Sequence, residues 1–399
     1  MRRVSEHLSE ILSRLTPLPP VRLPLLEAAG TVLAEPVTAP VDLPPFDNSA
    51  MDGYAVRAAD LEALPAVLPV TGDVPAGDLG RAVIPPGRAA RIMTGAPLPP
   101  GADTVIPVEW TDGGAEVVRI TRGAPEGNYI RRAGEDVRAG AVVLPAGTRL
   151  GAAQLGMAAA VGRPDLLVRP RPRVAVLSTG DELRDPGDPL EHGQIWDSNS
   201  FMLATAVREA GGEPLRQSFL GDNPKKVREA LQAELARADA IITTGGVSMG
   251  VYDVVKAAFS GGGEVDFHKV AMRPGKPQGF GLLDGRCPIF TLPGNPVSAY
   301  VSFQVFVLPA LQYLQGLEPT GLPRVKARSA STLSSPSGLQ HYLRADLTFA
   351  DDAYTVRPAS AQGSHQMAAL AEANGLITLP PDVTEVPEGA FVEVLKLQS

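Results

Sequence analysis

Three segments of the sequence combine glycine with hydroxyl or acidic residues in patterns that suit phosphate binding. In Ser178-Thr179-Gly180-Asp181-Glu182, which follows the apolar run Val174–Leu177, the glycine lets backbone approach a ligand. Asp181 and Glu182 there offer acceptors or a metal contact, although a capped turn has the same composition. The segment Thr243-Thr244-Gly245-Gly246-Val247-Ser248-Met249-Gly250 carries no bulky side chain where backbone N–H groups would cradle a phosphate; a tight turn is its plainer reading. In Leu292-Pro293-Gly294-Asn295-Pro296-Val297-Ser298, Pro296 takes a first helical position, and a helix N-terminus favours an anion. Upstream, Arg273-Pro274-Gly275-Lys276-Pro277 sets two cations about a rigid turn, fit for an oxyanion or for a solvated surface bend. Asp222 and Asp253 begin helical segments, where each either caps a helix or, in a phosphate site, holds Mg²⁺.

Neither the dinucleotide pattern G-x-G-x-x-G nor the P-loop G-x-x-x-x-G-K-[ST] occurs in these loops, which argues against a nicotinamide dehydrogenase or a P-loop NTPase. Two further strings are costly as plain loops. Pro44-Pro45-Phe46-Asp47-Asn48-Ser49-Ala50-Met51-Asp52-Gly53-Tyr54-Ala55 sets a polar run beside an aromatic, and Arg91-Ile92-Met93-Thr94-Gly95-Ala96-Pro97 is its smaller counterpart. A bend at a crowded junction accounts for them as well as a site does. Arg344 and His365 are candidate polar contacts near the C-terminal end, with surface placement equally compatible.

The elements that must position these residues follow from periodicity. Val4, Leu8, Ile11, Leu12 and Leu15 share one helical face, which predicts a docking helix over Met1–Leu15 rather than a signal peptide. A short helix is expected over Leu23–Ala29, with Gly30 as its cap. From Asp42 to about Gly140, short β-type runs (Ala66–Val70, Thr104–Val108, Glu116–Ile120) alternate with Gly/Pro turns and predict an all-β module. A helix around Ala152–Ala160 precedes the stiff Pro170-Arg171-Pro172 connection. Beyond it, strands at Val174–Leu177, Ala240–Thr243 and Pro288–Leu292 alternate with helices at Asn199–Glu209 and Pro224–Arg237. That alternation predicts a mainly parallel, doubly wound βα sheet, whose ligands sit at the strand carboxyl ends, where the glycine loops are. After Leu317 short strands return (Arg324–Ala327, Leu343–Phe349, Tyr354–Pro358, Phe391–Leu397), as expected of a small β-barrel. The expected division is a discontinuous helical and linker domain at 1–41 plus 140–170, an inserted β module at 42–139, a βα domain at 171–317 and a β-barrel at 318–399.

Composition narrows the function. A net charge of −8 argues against nucleic acid, which needs a basic face. The lone Cys287 excludes a disulfide framework and a multi-thiolate metal site within one chain. The most apolar stretch, Val297–Leu311, is interrupted by Gln304 and Pro309 and is short of the roughly 20 residues a membrane span needs, so a cytoplasmic protein without a membrane partner is expected.

Taken together, and in order along nearly the whole chain, these strings resemble the molybdopterin molybdenumtransferase family, the bacterial MoeA-type enzymes related to the E domain of gephyrin. The carriers are PPFDNSAMDGYAVR (Pro44–Arg57), IMTGAP (Ile92–Pro97), STGDEL (Ser178–Leu183), TTGGVSMG (Thr243–Gly250), RPGKP (Arg273–Pro277), LPGNPVS (Leu292–Ser298) and GSH (Gly363–His365). The resemblance implies an elongated four-domain protomer in a homodimer whose active site uses both chains. It also implies insertion of molybdenum from molybdate into adenylylated molybdopterin, with Mg²⁺-dependent release of AMP. Matched residue by residue, Asp52, Thr94 and Asp136 fall on functional positions of the β module. Glu182, Asp222, Asp253, Lys276, Pro293 and Pro296 fall on those of the βα domain, and Arg344 and Ser364 on polar positions of the last domain.

Asp52, Thr94, Asp136, Glu182 and Lys276 are therefore expected to be catalytic, and Asp222 and Asp253 to hold Mg²⁺. Thr179, Gly180, Gly245, Gly246, Ser248, Arg273, Pro293, Pro296, Ser298, Arg344 and Ser364 are expected to bind substrate. Arg273 stands where the family has the first lysine of K-P-G-K, a planar fork in place of a point charge. The chemistry is compatible with one cysteine because the pterin's dithiolene holds the metal, and the protein need only bind an oxyanion. The upstream molybdopterin adenylyltransferase is an expected partner. Adenylylation of molybdopterin itself, or a scaffold role, are the alternative functions.

Overall fold

The computed structural model describes residues 1–79, 83–217, 220–245, 254–259 and 264–397. They form two compact units, each built from separate stretches of chain: Met1–Arg22, Gly30–Ala34 and Leu167–Ser399 in the first, Leu23–Ala29 and Glu35–Leu166 in the second.

The first unit opens with the helix Val4–Ser13, which buries Ile11 and His7 and packs Val4, Leu8 and Leu12 against the main core. Its apolar stripe matches the sequence periodicity; His7 on the same face was not foreseen, and its burial with His268 and Arg2 nearby holds its pKa down to about 4. Ile11 is 1% exposed, so Ile11→Ala should destabilise this unit by about 2–5 kcal/mol in denaturant unfolding. A cost under about 0.5 kcal/mol would mean that the helix does not dock in solution.

The central sheet runs in the order Glu213–Arg216, Arg173–Ser178, Ala240–Thr244, Cys287–Leu292, Pro277–Leu283, Val265–Lys269. The first four strands are parallel, Pro277–Leu283 runs against them, and Val265–Lys269 pairs antiparallel with it at the edge. The inner strands are buried along almost their whole length (Val174–Ser178, Ala240–Thr244, Cys287–Leu292), the pattern of a sheet covered on both faces. The helix Pro224–Glu234 starts where the sequence demands it: Pro224 sits at the first position and the Asn223 side chain accepts from the N–H groups of Lys225 and Lys226.

One expectation fails on the long apolar stretch. Gln304 and Pro309 do not interrupt it, because the helix runs on from Pro296 to Leu314 through a π-type turn at Phe303–Val307 just before Pro309. The wider turn accommodates a residue with no N–H to donate and a ring that would crowd an ordinary α-turn. Among the described residues this is the helix long and apolar enough to cross a membrane, and 83% of its apolar stretch is buried inside the protein.

The C-terminal strands close into a five-stranded barrel. Gln340–Ala350 pairs with both Ala353–Pro358 and Gly375–Leu379, and Phe391–Lys396 and Arg324–Ser329 complete the ring. Gly375–Leu379 was not foreseen as a strand. A short strand from the βα region, Met272–Arg273, joins its edge and aligns Arg273 with His341.

The second unit centres on a five-stranded sheet in the order Thr104–Pro107, Gly53–Val56, Ala89–Ile92, Ala66–Val74, Val117–Ile120. It also holds the helix Ala152–Ala160. The helix expected over Leu23–Ala29 does not form. Val21–Pro24 is a strand and the chain turns until Gly30, whose φ of 75° suits the residue that ends the turn. Seven residues starting at a proline-bound strand are too few to recover the cost of helix nucleation.

Candidate active site

Two cavities in the first unit collect most of the residues singled out by the sequence. The larger, about 790 Å³, is lined by the loops that leave three parallel strands at their carboxyl ends: Thr179, Gly180 and Glu182 from the first, Gly245 from the second, Pro293 and Pro296 from the third, with Asp222 alongside. The smaller, about 370 Å³, is lined by Arg273, Ser298, His341, Arg344, Ser364 and His365 among others, and its described lining contains no carboxylate. Ser298 and His365 line both.

Backbone geometry explains the glycines. Gly180 has φ +147°, and a Cβ there would lie 2.2 Å from a carboxylate oxygen of Glu182, so the glycine is what lets that side chain fold back over its own loop. Gly245 has φ +91°, and a Cβ would meet the Thr179 carbonyl oxygen at 2.6 Å, so the first and second loops touch only because this residue is glycine.

The loops are tied together by residues that the sequence reading missed. Asn199 Nδ2 donates to Thr244 Oγ1 (2.9 Å) and to the Gly294 carbonyl (2.8 Å), linking the second loop to the third. Asp197 Oδ1 accepts from Ser178 Oγ (2.9 Å) and the Ser200 N–H (3.1 Å), fixing the first. Asp-Ser-Asn across the start of the helix Asn199–Glu209 reads as capping, yet three capping-competent residues in a row exceed what one helix start needs, and that surplus was the available signal.

Asp222 is not the cap that its position suggested, since Asn223 performs that task; its N–H donates to Asp181 Oδ1 at 3.1 Å. Asp222 lines the cavity, as do Asp197 and Asn199, whose Oδ2 and Oδ1 atoms are buried without a hydrogen-bond partner among the described residues. Hard oxygen ligands of this kind fit Mg²⁺. Gly246, Ser248 and Asp253 lie outside the described residues. The group with metal-ligand spacing among the described residues lies elsewhere, at Glu10, Asp266 and His268, with ligand atoms within 4.8 Å of one another. Arg2 pairs with Glu10, and Arg14 with Asp266 at 3.2 Å, so its carboxylate charge is already balanced.

In the smaller cavity, Arg344 is 1% exposed; Nη1 donates to the Gln366 carbonyl (2.9 Å) and Nη2 is buried without a partner among the described residues. Burial pulls its pKa below the ordinary arginine value. The Gln362 side chain bridges both backbone polar groups of Arg344, and Asn295 Nδ2 donates to Ser364 Oγ (3.0 Å), which joins this loop to the N-terminus of the long helix. The RPGKP turn is held by Gln278, whose amide donates to the Gly275 carbonyl and to Ser302 Oγ, both at 2.6 Å. Both cations of the turn are exposed, but Arg273 lines the smaller cavity and Lys276 lines neither, although both are expected to flank one pocket. A rigid Pro-Gly turn points successive side chains in different directions, which composition cannot reveal.

Asp52, Thr94 and Asp136 belong to the second unit. Asp52 Oδ1 accepts from the Thr94 N–H (2.6 Å) and Thr94 Oγ1 (2.9 Å), so two strings 42 residues apart meet in one polar contact. Asp136 is exposed, and no hydrogen bond among those of the described residues joins its side chain to that pair. The Thr94 N–H first, and its hydroxyl second, hold the Asp52 carboxyl below its ordinary value. Its folded pKa being depressed, the contact strengthens folding above the unfolded-state value and loses that contribution as pH falls through the folded one. Thr94→Val removes the weaker donor only. An NMR titration should then find the Asp52 midpoint moved part of the way back up, and an unmoved midpoint would contradict the assignment.

Comparison with known proteins places these features in a wider set. Residues 2–162 match the family described as MoeA N-terminal region (domain I and II), residues 175–313 the probable molybdopterin binding domain, and residues 326–397 the MoeA C-terminal region (domain IV). A Mycobacterium tuberculosis protein named molybdopterin molybdenumtransferase 2 is 47% identical over the whole of both chains. Its paralogue molybdopterin molybdenumtransferase 1 is 40% identical, covering 99% of this chain and 98% of its own. A crystal structure of the molybdopterin biosynthesis moea protein from Pyrococcus horikosii is 31% identical and superposes with a TM-score of 0.84, covering 100% of this chain and 99% of that one.

Proposed function

Because this chain belongs to the molybdopterin molybdenumtransferase family, we propose that it inserts molybdenum from molybdate into adenylylated molybdopterin and releases AMP. The observation that carries the reading is the pair of cavities sharing Ser298 and His365. One offers guanidinium groups and hydroxyls and no described carboxylate, the surroundings an oxyanion needs. The other offers glycine loops and hydroxyls at strand carboxyl ends, where a phosphate-bearing pterin nucleotide fits.

In this reading Arg273, Arg344, Ser298 and Ser364 hold molybdate as the tetrahedral dianion. Thr179, Gly180, Gly245, Pro293 and Pro296 shape the bed of the adenylylated substrate, completed by Gly246 and Ser248. Asp222, with Asp253, would hold Mg²⁺, and Glu182 stands on the first loop with Thr179 and Gly180. A bound Mg²⁺ supplies neutralisation of phosphoanhydride charge. Lys276, exposed, is a catalytic cation of this reading, and Asp52, paired with Thr94, and Asp136 are its functional residues in the second unit. The protein is a cytoplasmic homodimer whose active site draws on both chains, and it receives its substrate from the upstream adenylyltransferase. The finer partition into domains at 1–41 plus 140–170, 42–139, 171–317 and 318–399 is part of the same proposal.

The test is AMP release from adenylylated molybdopterin with purified protein and Mg²⁺, with and without molybdate. Release that requires molybdate and leaves metal on the pterin is the expected result. Transfer of AMP from ATP onto free molybdopterin, with no molybdate-dependent release, would overturn it in favour of the preceding step.

A further inference from the structure

The oxyanion cavity contains a titratable group that the proposed function leaves without a task. His341 lies on the barrel strand Gln340–Ala350, is 6% exposed, lines the cavity, and has its Nδ1 buried without a hydrogen-bond partner among the described residues. The charged and titratable groups around it are few. Arg273 stands beside it in register on the adjoining strand, Arg344 follows on its own strand, and His365 enters from the loop before the helix Met367–Ala371. The other neighbouring strand sets Leu379 opposite it, and the adjacent Tyr342 hydroxyl is pushed above its ordinary value by burial and stays neutral. Without an anion these surroundings oppose a third cation: burial first, and Arg273 second, hold His341 down to about 4.

A dianion between the two guanidinium groups reverses that balance. An anion held at Arg273, in register with His341, would bring negative charge to the imidazole, and an opposite charge nearby favours the protonated ring and raises its midpoint. Rotation of the ring about its χ2 bond presents either nitrogen as the donor.

We propose that His341 is a third ligand of the oxyanion and takes up one proton from solvent as a doubly charged tetrahedral anion settles between Arg273 and Arg344. This rests on the assignment of molybdate to the cavity. The sign follows from linkage. The midpoint in the bound state lies above that in the free state, so affinity is greatest at low pH and declines as pH rises toward the bound-state midpoint, by at most about tenfold per pH unit.

The experiment is titration calorimetry of the full chain with sodium molybdate at pH 6, 7 and 8. Pairs of buffers with different ionisation heats count the protons taken up. The expected result is proton uptake on binding and an affinity several-fold higher at pH 6 than at pH 8, both abolished in His341→Asn and kept in His365→Asn. Equal uptake in wild type and His341→Asn overturns the inference, as does uptake that disappears with His365→Asn instead. Should His341→Asn fold poorly, the His341 imidazole resonance of the wild type decides: it moves to the imidazolium position on adding molybdate, or the inference fails. Failure of the underlying assignment looks different, because then Arg344→Met binds molybdate as well as wild type does.

Discussion

Arg344→Met will weaken molybdate binding by about two orders of magnitude while leaving the unliganded protein as stable as before, or more so. Arg344 is 1% exposed, and among the described residues no carboxylate lies in salt-bridge range of it and one of its terminal nitrogens has no partner. A buried charge without a counter-ion opposes folding by several kcal/mol, and its replacement by an apolar side chain of similar length removes that opposition. An anion arriving in the cavity meets a donor already desolvated and held in place by Gln366 and Gln362, so the interaction is stronger than a surface arginine would give. Losing a buried, charge-assisted contact of this kind costs about 2–5 kcal/mol of binding, which corresponds to a factor of roughly 30 to several thousand. Calorimetry with molybdate and a thermal melt without it give the two numbers. If the melt falls and binding does not change, Arg344 is a structural residue of the barrel. Arg344→Lys should recover little, since a point charge cannot occupy both directions of the fork.

Asp222→Asn will lower AMP release by about 10²-fold or more and leave molybdate affinity within a factor of two of wild type. The substitution keeps the shape of the side chain and the backbone N–H that donates to Asp181, and it does not disturb the helix start, which Asn223 and Pro224 secure. Stability should therefore change by no more than about 0.5 kcal/mol. What is lost is one negative charge at the wall of the larger cavity, where the unpartnered oxygens of Asp197 and Asn199 also lie. Single-turnover release measured against Mg²⁺ concentration separates the possibilities. A curve shifted to higher Mg²⁺ supports Asp222 as a ligand. A rate reduced by the same factor at every Mg²⁺ concentration, or molybdate affinity falling in parallel, would sink the assignment.

The two variants probe different walls of one site, and their separation is itself informative. Arg344 acts on the oxyanion and Asp222 on the phosphate-bearing substrate, so each is expected to leave the other's ligand nearly untouched. Coupling between them would have to pass through Ser298 and His365, the residues common to both cavities.

Much of this was legible in the linear sequence because the signals are local. The loop Ser178–Glu182 follows a buried β run, Pro224 marks a helix start, and Val4, Leu8 and Ile11 recur at helical spacing. Each such feature needs only neighbours within a few residues, so its geometry is set by backbone preference and periodicity. The ordered motif strings likewise identified the family without any coordinate.

The tertiary structure decided what depends on partners distant in the chain. Whether Arg273 or Lys276 enters a cavity is set by Gln278 and Ser302 fastening the turn, and whether Asp52 is a lone carboxylate or a paired one is set by Thr94, 42 residues away. The helix through Pro309 shows the same division, since local rules forbid it and the π-type turn packed within the core permits it. His341, Asp197 and Asn199 were invisible because a histidine in a β run, or an Asp-Ser-Asn across a helix start, has an ordinary local explanation. Only burial, which removes water as the alternative partner, turns an unmatched nitrogen or oxygen into evidence of a ligand. Burial is a property of the folded chain as a whole, and no window of sequence contains it.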